Sequence, residues 1–379
     1  MVFLFQRYLS YYKAQLYEHV NSYLHNKLIV CHGKPPLVGS SISDTKTRLF
    51  KETILKNNWF GGESAIWQSF WKPFLEYGRP QVVILEASLR ILSLLPVIIY
   101  CRLRNISVIL WGHAGSRKRN IVVSNNFRDM AFRWLVKMSD AFICYTNEDK
   151  KKLSSVVENK KLFVAVNTLD TDELFSIRRS LEKRDKNQLK SELGLRSINY
   201  LCLLGRLIPE KCPVDALFIL KILQKQQHSI GLIIIGDGPE KSVMEEMVFS
   251  EGLKDVHILG SIMELEKSAS YIFSSDVLLS LGYVGLSVNQ GLCLGVPSIT
   301  RDGLPHSPEI DFIKEARTGF IVNDQKLKKL MNFVQPIKTV IQNREKFYKE
   351  SVSFAEKNLD MKFYIQGVSD AINYVTTSS

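Results

Sequence analysis

Tyr200-Leu201-Cys202-Leu203-Leu204-Gly205-Arg206-Leu207-Ile208-Pro209-Glu210-Lys211 begins as an unbroken apolar run and ends in a glycine followed by two cations. An apolar run this short, closed by glycine, reads as a buried strand of a parallel sheet. α/β proteins bind ligands at the carboxyl ends of such strands, so Arg206 and Lys211 are delivered to a ligand site. A guanidinium that forks onto phosphate oxygens and a mobile ammonium together suit a diphosphate. In isolation the pair reads as a solvated loop. Two further units give it company. Gly231-Leu232-Ile233-Ile234-Ile235 ends in Gly236-Asp237-Gly238-Pro239-Glu240, and Val284-Gly285-Leu286-Ser287 opens a glycine turn, a short helix to Gly295 and a new strand from Pro297.

The chain has 379 residues, more than one typical core organises, and suits two domains. With 45% hydrophobic and 23% charged residues, disordered and collagen-like classes are excluded. The six cysteines are scattered through apolar runs with no zinc spacing and read as buried, reduced thiols of a cytosolic protein. A net charge of +12 asks for a polyanionic neighbour: nucleic acid, an anionic membrane or phosphorylated substrates. Met1 to Phe5 is too short for a signal peptide core, and Ile91 to Tyr100, with Pro96 inside it, is too short to cross a bilayer. The expectation is a cytoplasmic protein that touches the inner face of the membrane.

Apolar runs alternate with periodic stretches along both halves, the pattern of strand-helix-strand units. Strands are expected at 2–5, 28–31, 82–86, 108–111, 141–145 and 162–166. Helices are expected at about 11–25, 63–77, 89–104, 124–138 and 147–155. In the second half strands are expected near 200–204, 231–235, 256–259, 277–280, 297–300 and 319–322. Arg178 to Glu192 is charged, with no wide apolar face, and reads as a linker. The expected division is 1–175, a first α/β domain; 176–198, a linker; 199–345, a second α/β domain; and 346–379, C-terminal helices.

The succession Gly205-Arg206 to Lys211, then Gly236-Asp237-Gly238-Pro239-Glu240, then Val284-Gly285-Leu286-Ser287 to Gln290-Gly291 and Gly295-Val296-Pro297-Ser298-Ile299 resembles a known family. It is similar to the donor-binding half of retaining nucleotide-sugar glycosyltransferases of the GT-B fold, family 4-like, in the branch that builds bacterial surface polysaccharides. The resemblance is strong between about 200 and 325 and weaker, though in register, before that. It implies an α/β chain of two doubly wound Rossmann-like domains facing across a cleft, with the last helix, at about Phe363 to Val375, packed back on the first domain.

The resemblance implies catalytic roles for Arg206, Lys211 and His113. The histidine follows the strand Val108 to Trp111 in Gly112-His113-Ala114-Gly115, where packing or capping is the competing reading. Donor-binding candidates are Gly33, Gly236, Gly238, His257, Gly285, Gln290, His306 and Glu309; Glu86 is the acceptor-side candidate. Relatives carry two glutamates in the third unit, and the alignment puts Gly282 and Gln290 at those positions. Gln290 keeps an amide oxygen that accepts from a ribose hydroxyl, whereas Gly282 keeps nothing. Pro305-His306-Ser307-Pro308-Glu309 offers a replacement carboxylate on a restrained loop. Asp170-Thr171-Asp172 is read as a turn into the linker rather than a metal site. No cofactor is expected beyond a nucleotide-diphosphate sugar as co-substrate.

The implied activity is transfer of a sugar, with retention, to a hydroxyl of a lipid-linked saccharide in O-antigen, capsule or exopolysaccharide synthesis. A nucleotide-sugar hydrolase or epimerase, or a non-catalytic membrane-assembly partner, are the alternatives. No nucleic acid-binding motif is present. Arg117-Lys118-Arg119, with Arg128, Arg133 and Lys137 beside Phe127, Phe132 and Trp134, suits an anionic membrane; a solvated helix face with its aromatics turned inward suits the same residues.

Overall fold

The computed structural model describes residues 1–34, 48–62, 64–114, 124, 126–226, 229–324 and 329–377. Arg117-Lys118-Arg119 and Gly115 lie outside them. The chain divides into two compact units, Met1–Asp170 with Met361–Ser379, and Thr171–Asp360.

The first unit alternates strands and helices: β1 (Val2–Tyr8), α1 (Tyr11–Tyr23), β2 (Leu28–Gly33), β3 (Lys51–Leu55), β4 (Asn57–Phe60), β5 (Ala65–Gln68), α2 (Trp71–Tyr77), β6 (Val82–Glu86), α3 (Leu94–Leu103), β7 (Ser107–Gly112), α4 (Phe127–Met138), β8 (Ala141–Cys144), α5 (Asn147–Leu153) and β9 (Leu162–Val164). Seven strands form a parallel sheet in the order β3-β2-β1-β6-β7-β8-β9. Strands buried on both faces need unbroken apolar sequence, and Phe3, Val83, Val108 and Phe142 pack on one face while Leu4, Ile84, Ile109 and Ile143 pack on the other.

The helix expected over 63–77 begins only at Trp71. The first half of that stretch holds β5, which pairs antiparallel with the preceding β4, because aromatic and β-branched residues flank Gly61-Gly62, both at positive φ. Strand β3 was not foreseen, since only Thr53 and Leu55 of its five residues are buried. The other expected helices are trimmed by local chemistry. Asn126, for example, caps α4 by accepting a hydrogen bond from the Arg128 amide at 2.9 Å.

The second unit holds α6 (Thr171–Leu181), α7 (Lys186–Glu192), β10 (Asn199–Leu204), α8 (Val214–Lys225), β11 (Ile230–Ile235), α9 (Lys241–Ser250), β12 (Val256–Ile258), α10 (Leu265–Phe273), β13 (Val277–Ser280), α11 (Ser287–Cys293), β14 (Ser298–Arg301), β15 (Gly319–Val322), α12 (Val334–Gln342) and α13 (Arg344–Asn358). Its parallel sheet runs β12-β11-β10-β13-β14-β15. Strand order reverses at β10, so the carboxyl ends of β10 and β13 flank a topological switch point, where doubly wound sheets open a crevice.

The segment read as a linker is instead two helices of this unit. Leu174, Phe175 and Leu181 give α6 a buried stripe at helical spacing, and Leu181 packs with Leu189 of α7 and Phe273. The charge that disguised it is partly internal. Arg178 is buried, donating to the Cys293 carbonyl at 3.2 Å and pairing with Glu356 at 2.5 Å.

After α13 the chain returns to the first unit as α14 (Met361–Thr377), which packs on α1, β8 and β9. Gly367 permits the approach, since a β-carbon there would stand 2.0 Å from the Val164 carbonyl oxygen. Among the described residues no helix is long and apolar enough to cross a membrane.

Candidate functional site

Three loops converge at the carboxyl end of the second sheet because their glycines allow it. Gly236 has a φ of 149°, and a β-carbon on it would stand 1.8 Å from the Gly205 carbonyl oxygen. Gly238 has a φ of 154°, with its missing β-carbon 2.4 Å from the Leu207 carbonyl oxygen. The backbones then lock together: the Leu207 amide donates to the Asp237 carbonyl at 2.8 Å, and the Glu240 amide to the Leu207 carbonyl at 3.0 Å. Gly236 and Gly238 thus fix the loop that carries Arg206.

Arg206 is exposed beside an open hollow of about 300 Å³ that is also lined by Gly205, Lys211, Ser280, Gly282 and Ser287. Lys211 ends a short 3-10 turn, Pro209–Lys211, and its ammonium donates to the Tyr283 carbonyl. Burial pushes the Lys211 pKa down and the neighbouring Arg206 charge adds to this, while Glu309 opposes both. The hollow is therefore electropositive, with two cations near each other and one buried carboxylate behind them.

Glu309 sits in the turn Pro308–Phe312 and is 2% exposed. It is the carboxylate of this neighbourhood, but it is held inside the protein rather than presented on the surface. Both ring nitrogens of His306 are engaged by backbone groups. Its Nε2 donates to the Arg301 carbonyl at 2.8 Å and its Nδ1 accepts from the Val284 amide at 3.2 Å, which is the pattern of a neutral ring. It ties the loop after β14 to the loop before α11.

Gly285 precedes α11, and a β-carbon on it would be 3.7 Å from the Lys211 ammonium. Gln290 lies partly buried within α11. Gly282 is closed to any side chain, because its β-carbon would meet the Glu210 carbonyl oxygen at 2.2 Å.

Sequence reasoning missed the Arg301 guanidinium. It is fully buried at the end of β14, paired with Asp215 at 2.6 Å and near Asp324 at 3.7 Å. An arginine closing a strand whose every residue is buried, Ser298-Ile299-Thr300-Arg301, carries only a weak sequence signal, because the serine and threonine beside it already read as polar. Its carbonyl anchors His306, so it supports the same loop.

His257 is not brought to this end of the sheet. Its Nε2 lies 2.7 Å from Asp255 Oδ1, and Asp255 in turn accepts from the Ser197 amide and the Tyr200 hydroxyl, all at the amino-terminal end of the strands. The histidine ties the edge strand β12 to the base of the sheet, which corrects its reading as a donor contact.

In the first unit, Glu86, His113 and Gly33 all stand at the carboxyl ends of their strands, β6, β7 and β2. Glu86 pairs with Arg7 at 2.6 Å. Burial works against the Arg7 charge but is outweighed by Glu86, and the net shift is upward. The exposed His113 ring meets Tyr145 edge-on at 4.6 Å between centroids. Lys13 of α1, which sequence reasoning also missed, lies 3.9 Å over the Trp111 ring. Gly33 is explained by packing: a β-carbon would fall 2.0 Å from the Asn57 amide nitrogen.

Asp170 lies 3.7 Å from His19 and leads directly into α6. Among the described residues no group of three or more His, Cys, Asp or Glu side chains is placed to hold a metal.

Residues 185–357 match the family model described as Glycosyl transferases group 1. The fold is GT-B. A crystal structure of a glycosyltransferase from Rickettsia africae ESF-5 superposes on this GT-B chain with a TM-score of 0.70 at 11% identity, covering 100% of this chain and 99% of that one. Anabaena HepE in complex with UDP superposes with a TM-score of 0.66 at 12% identity, covering 98% and 99%. Among curated sequences, the alpha-monoglucosyldiacylglycerol synthase of Acholeplasma laidlawii is 26% identical over 200 residues, 48% of this chain and 49% of the relative. The matched stretch thus spans about half the length of that relative. The family match covers the hollow, Arg206, Lys211, Gly282, Gln290, His306 and Glu309.

Proposed function

We propose that the protein is a glycosyltransferase that moves a sugar from a nucleotide-diphosphate donor to a hydroxyl of a lipid-linked saccharide. The observation that carries this reading is the hollow at the β10/β13 switch point, where Arg206 and Lys211 converge within the stretch matched by the group 1 glycosyl transferases. In such a transfer the bond from the anomeric carbon to the diphosphate oxygen breaks, and negative charge grows on the departing diphosphate. Arg206 and Lys211 are positioned to meet that charge, the task for which fixed electrostatics contributes most. Glu309 keeps Lys211 cationic against burial, and His306 with Arg301 holds the loop that borders the sugar. Gln290 accepts a ribose hydroxyl.

Retention at the anomeric carbon, independence of metal and of any resident cofactor, and a role in surface polysaccharide synthesis at the cytoplasmic membrane face belong to the same proposal. His113 and Glu86 would serve the acceptor side from the first unit. Because HepE was crystallised with UDP, UDP-sugars are the first donors to try.

The test is turnover. The protein is mixed with each nucleotide sugar and a lipid-linked saccharide extract, and release of free nucleotide diphosphate is followed with and without acceptor. Acceptor-dependent release supports transfer. Release that is independent of acceptor and incorporates solvent oxygen indicates a hydrolase and contradicts it.

A further inference from the structure

We propose that Lys186 is a nucleophilic amine, set apart from the other described lysines, that takes an acyl group from an acyl phosphate. It opens α7, and its ammonium lies over the Phe273 ring of α10, 5.6 Å from the centroid. The residue is half-buried, so it is partly drawn from water yet stays within reach of a small reagent. Two more cations share the place, Lys190 of the same helix and Arg344 of α13, around one buried carboxylate, Asp276.

The possible partners of Lys186 are committed elsewhere. Asp276 Oδ1 accepts from Arg344 Nη1 at 3.3 Å, and its Oδ2 accepts from the Tyr200 amide at 2.9 Å. On the adjoining elements, Asp185 caps α7 by accepting from the Gln188 amide at 2.7 Å, Glu182 accepts from the Tyr348 hydroxyl, and Glu345 pairs with Lys349 at 3.1 Å. Among the described residues Lys186 is left with no hydrogen bond or close ion pair of its own. An amine held this way, partly desolvated and beside like charges, is activated because both influences favour its neutral, nucleophilic form. Burial brings its pKa from 10.5 down to about 8; Asp276 opposes the fall, and Lys190 and Arg344 add to it. Lys190 and Lys211 are shifted in the same direction, but each spends its protons on a carbonyl, those of Ile198 and Tyr283.

Charge and size select the reagent. An acyl phosphate is small and brings its own anion, for which Arg344, with its side chain 52% exposed and one nitrogen on Asp276, has further N–H donors. In the reaction the Lys186 lone pair attacks the acyl carbon and the bond from that carbon to the phosphate oxygen breaks. The electron pair leaves with the phosphate, which takes up the proton lost by the amine. The products are a neutral amide and inorganic phosphate, so one of the three positive charges around Asp276 is removed. This inference is independent of the donor site, and its failure leaves the transfer reading untouched.

The experiment treats the native full chain with limiting acetyl phosphate near neutral pH and reads the labelling of each lysine by mass spectrometry, beside the same chain unfolded in urea. Lys186 is expected to react at least about tenfold faster than the exposed Lys346 and Lys357, an advantage that disappears in urea. The gap should narrow toward about pH 10, where ordinary lysines lose their protons too. Inorganic phosphate should slow labelling of Lys186 by acetyl phosphate but not by the uncharged N-hydroxysuccinimide acetate, because only the first reagent uses Arg344. The inference is overturned if Lys186 reacts no faster than the exposed lysines, if Lys190 or Lys211 reacts ahead of it, or if its advantage survives unfolding. It is overturned equally if phosphate slows both reagents or neither.

Discussion

Gly282 and Lys211 are in backbone contact: a β-carbon on Gly282 would stand 2.3 Å from Lys211 Cα. The turn that presents the lysine occupies the space in which a side chain at 282 would begin. A side chain at 282 and the present placement of the lysine exclude each other. The protein cannot take a carboxylate at 282 without moving Lys211.

Gly282→Glu is therefore expected to lose stability by roughly 1–3 kcal/mol, the usual cost of overpacking, and to weaken donor binding because the Pro209–Lys211 turn is displaced. Denaturant unfolding and donor titration of the same sample check this. A stable Gly282→Glu protein with raised turnover would show that the turn yields and that the contact is incidental.

Glu309→Gln tests the electrostatics behind the hollow. Burial and Arg206 lower the Lys211 pKa and Glu309 raises it. With the carboxylate neutralised, Lys211 should lose its proton at lower pH. The alkaline limb of donor binding should move to lower pH while affinity well below that limb changes less. A pH series of donor titrations reads the limb; an unmoved limb with uniformly weak binding would give Glu309 a purely structural role.

The fold was legible where each strand is buried on both faces and closed by glycine. Leu201 to Gly205 and Ile233 to Gly236 announced strands, and Arg206 and Lys211 came with the first of them; the strand order and the switch point between β10 and β13 came from the fold. The linker reading failed because Arg178 and Lys190 are charged residues that the fold takes inside, so composition pointed the wrong way. His257 failed for a related reason. A histidine on a strand near glycines looks the same in sequence whether its ring turns to the carboxyl end or, as here, toward Asp255 at the opposite end. The direction of Phe127 and Trp134, both exposed while Phe132 is buried, was open for want of any sequence signal separating the two faces of α4.

A second cluster gives a stability prediction. Lys186, Lys190 and Arg344 surround the buried Asp276 at the amino end of the second sheet, and burial pushes Lys186 from its usual 10.5 down to about 8, with Asp276 opposing and the two cations assisting. The folded protein releases this proton before the unfolded chain does. The group therefore lowers stability fully below about pH 8, and the penalty fades as pH rises toward 10.5. Lys186→Met should raise unfolding free energy at neutral pH by about 1 kcal/mol, with the gain shrinking above pH 8. Urea unfolding across that range checks the sign, and a gain that does not change with pH would remove the electrostatic explanation.

If Arg206 and Lys211 hold the diphosphate of a nucleotide sugar, calorimetric titration against UDP-, GDP-, ADP- and CMP-sugars, beside Arg206→Ala and Lys211→Ala, reads it without any acceptor. The expected result is saturable binding of one donor class, reduced by about 10²-fold or more in each variant while the fold is kept. No binding across the panel, or binding indifferent to both substitutions, would contradict it.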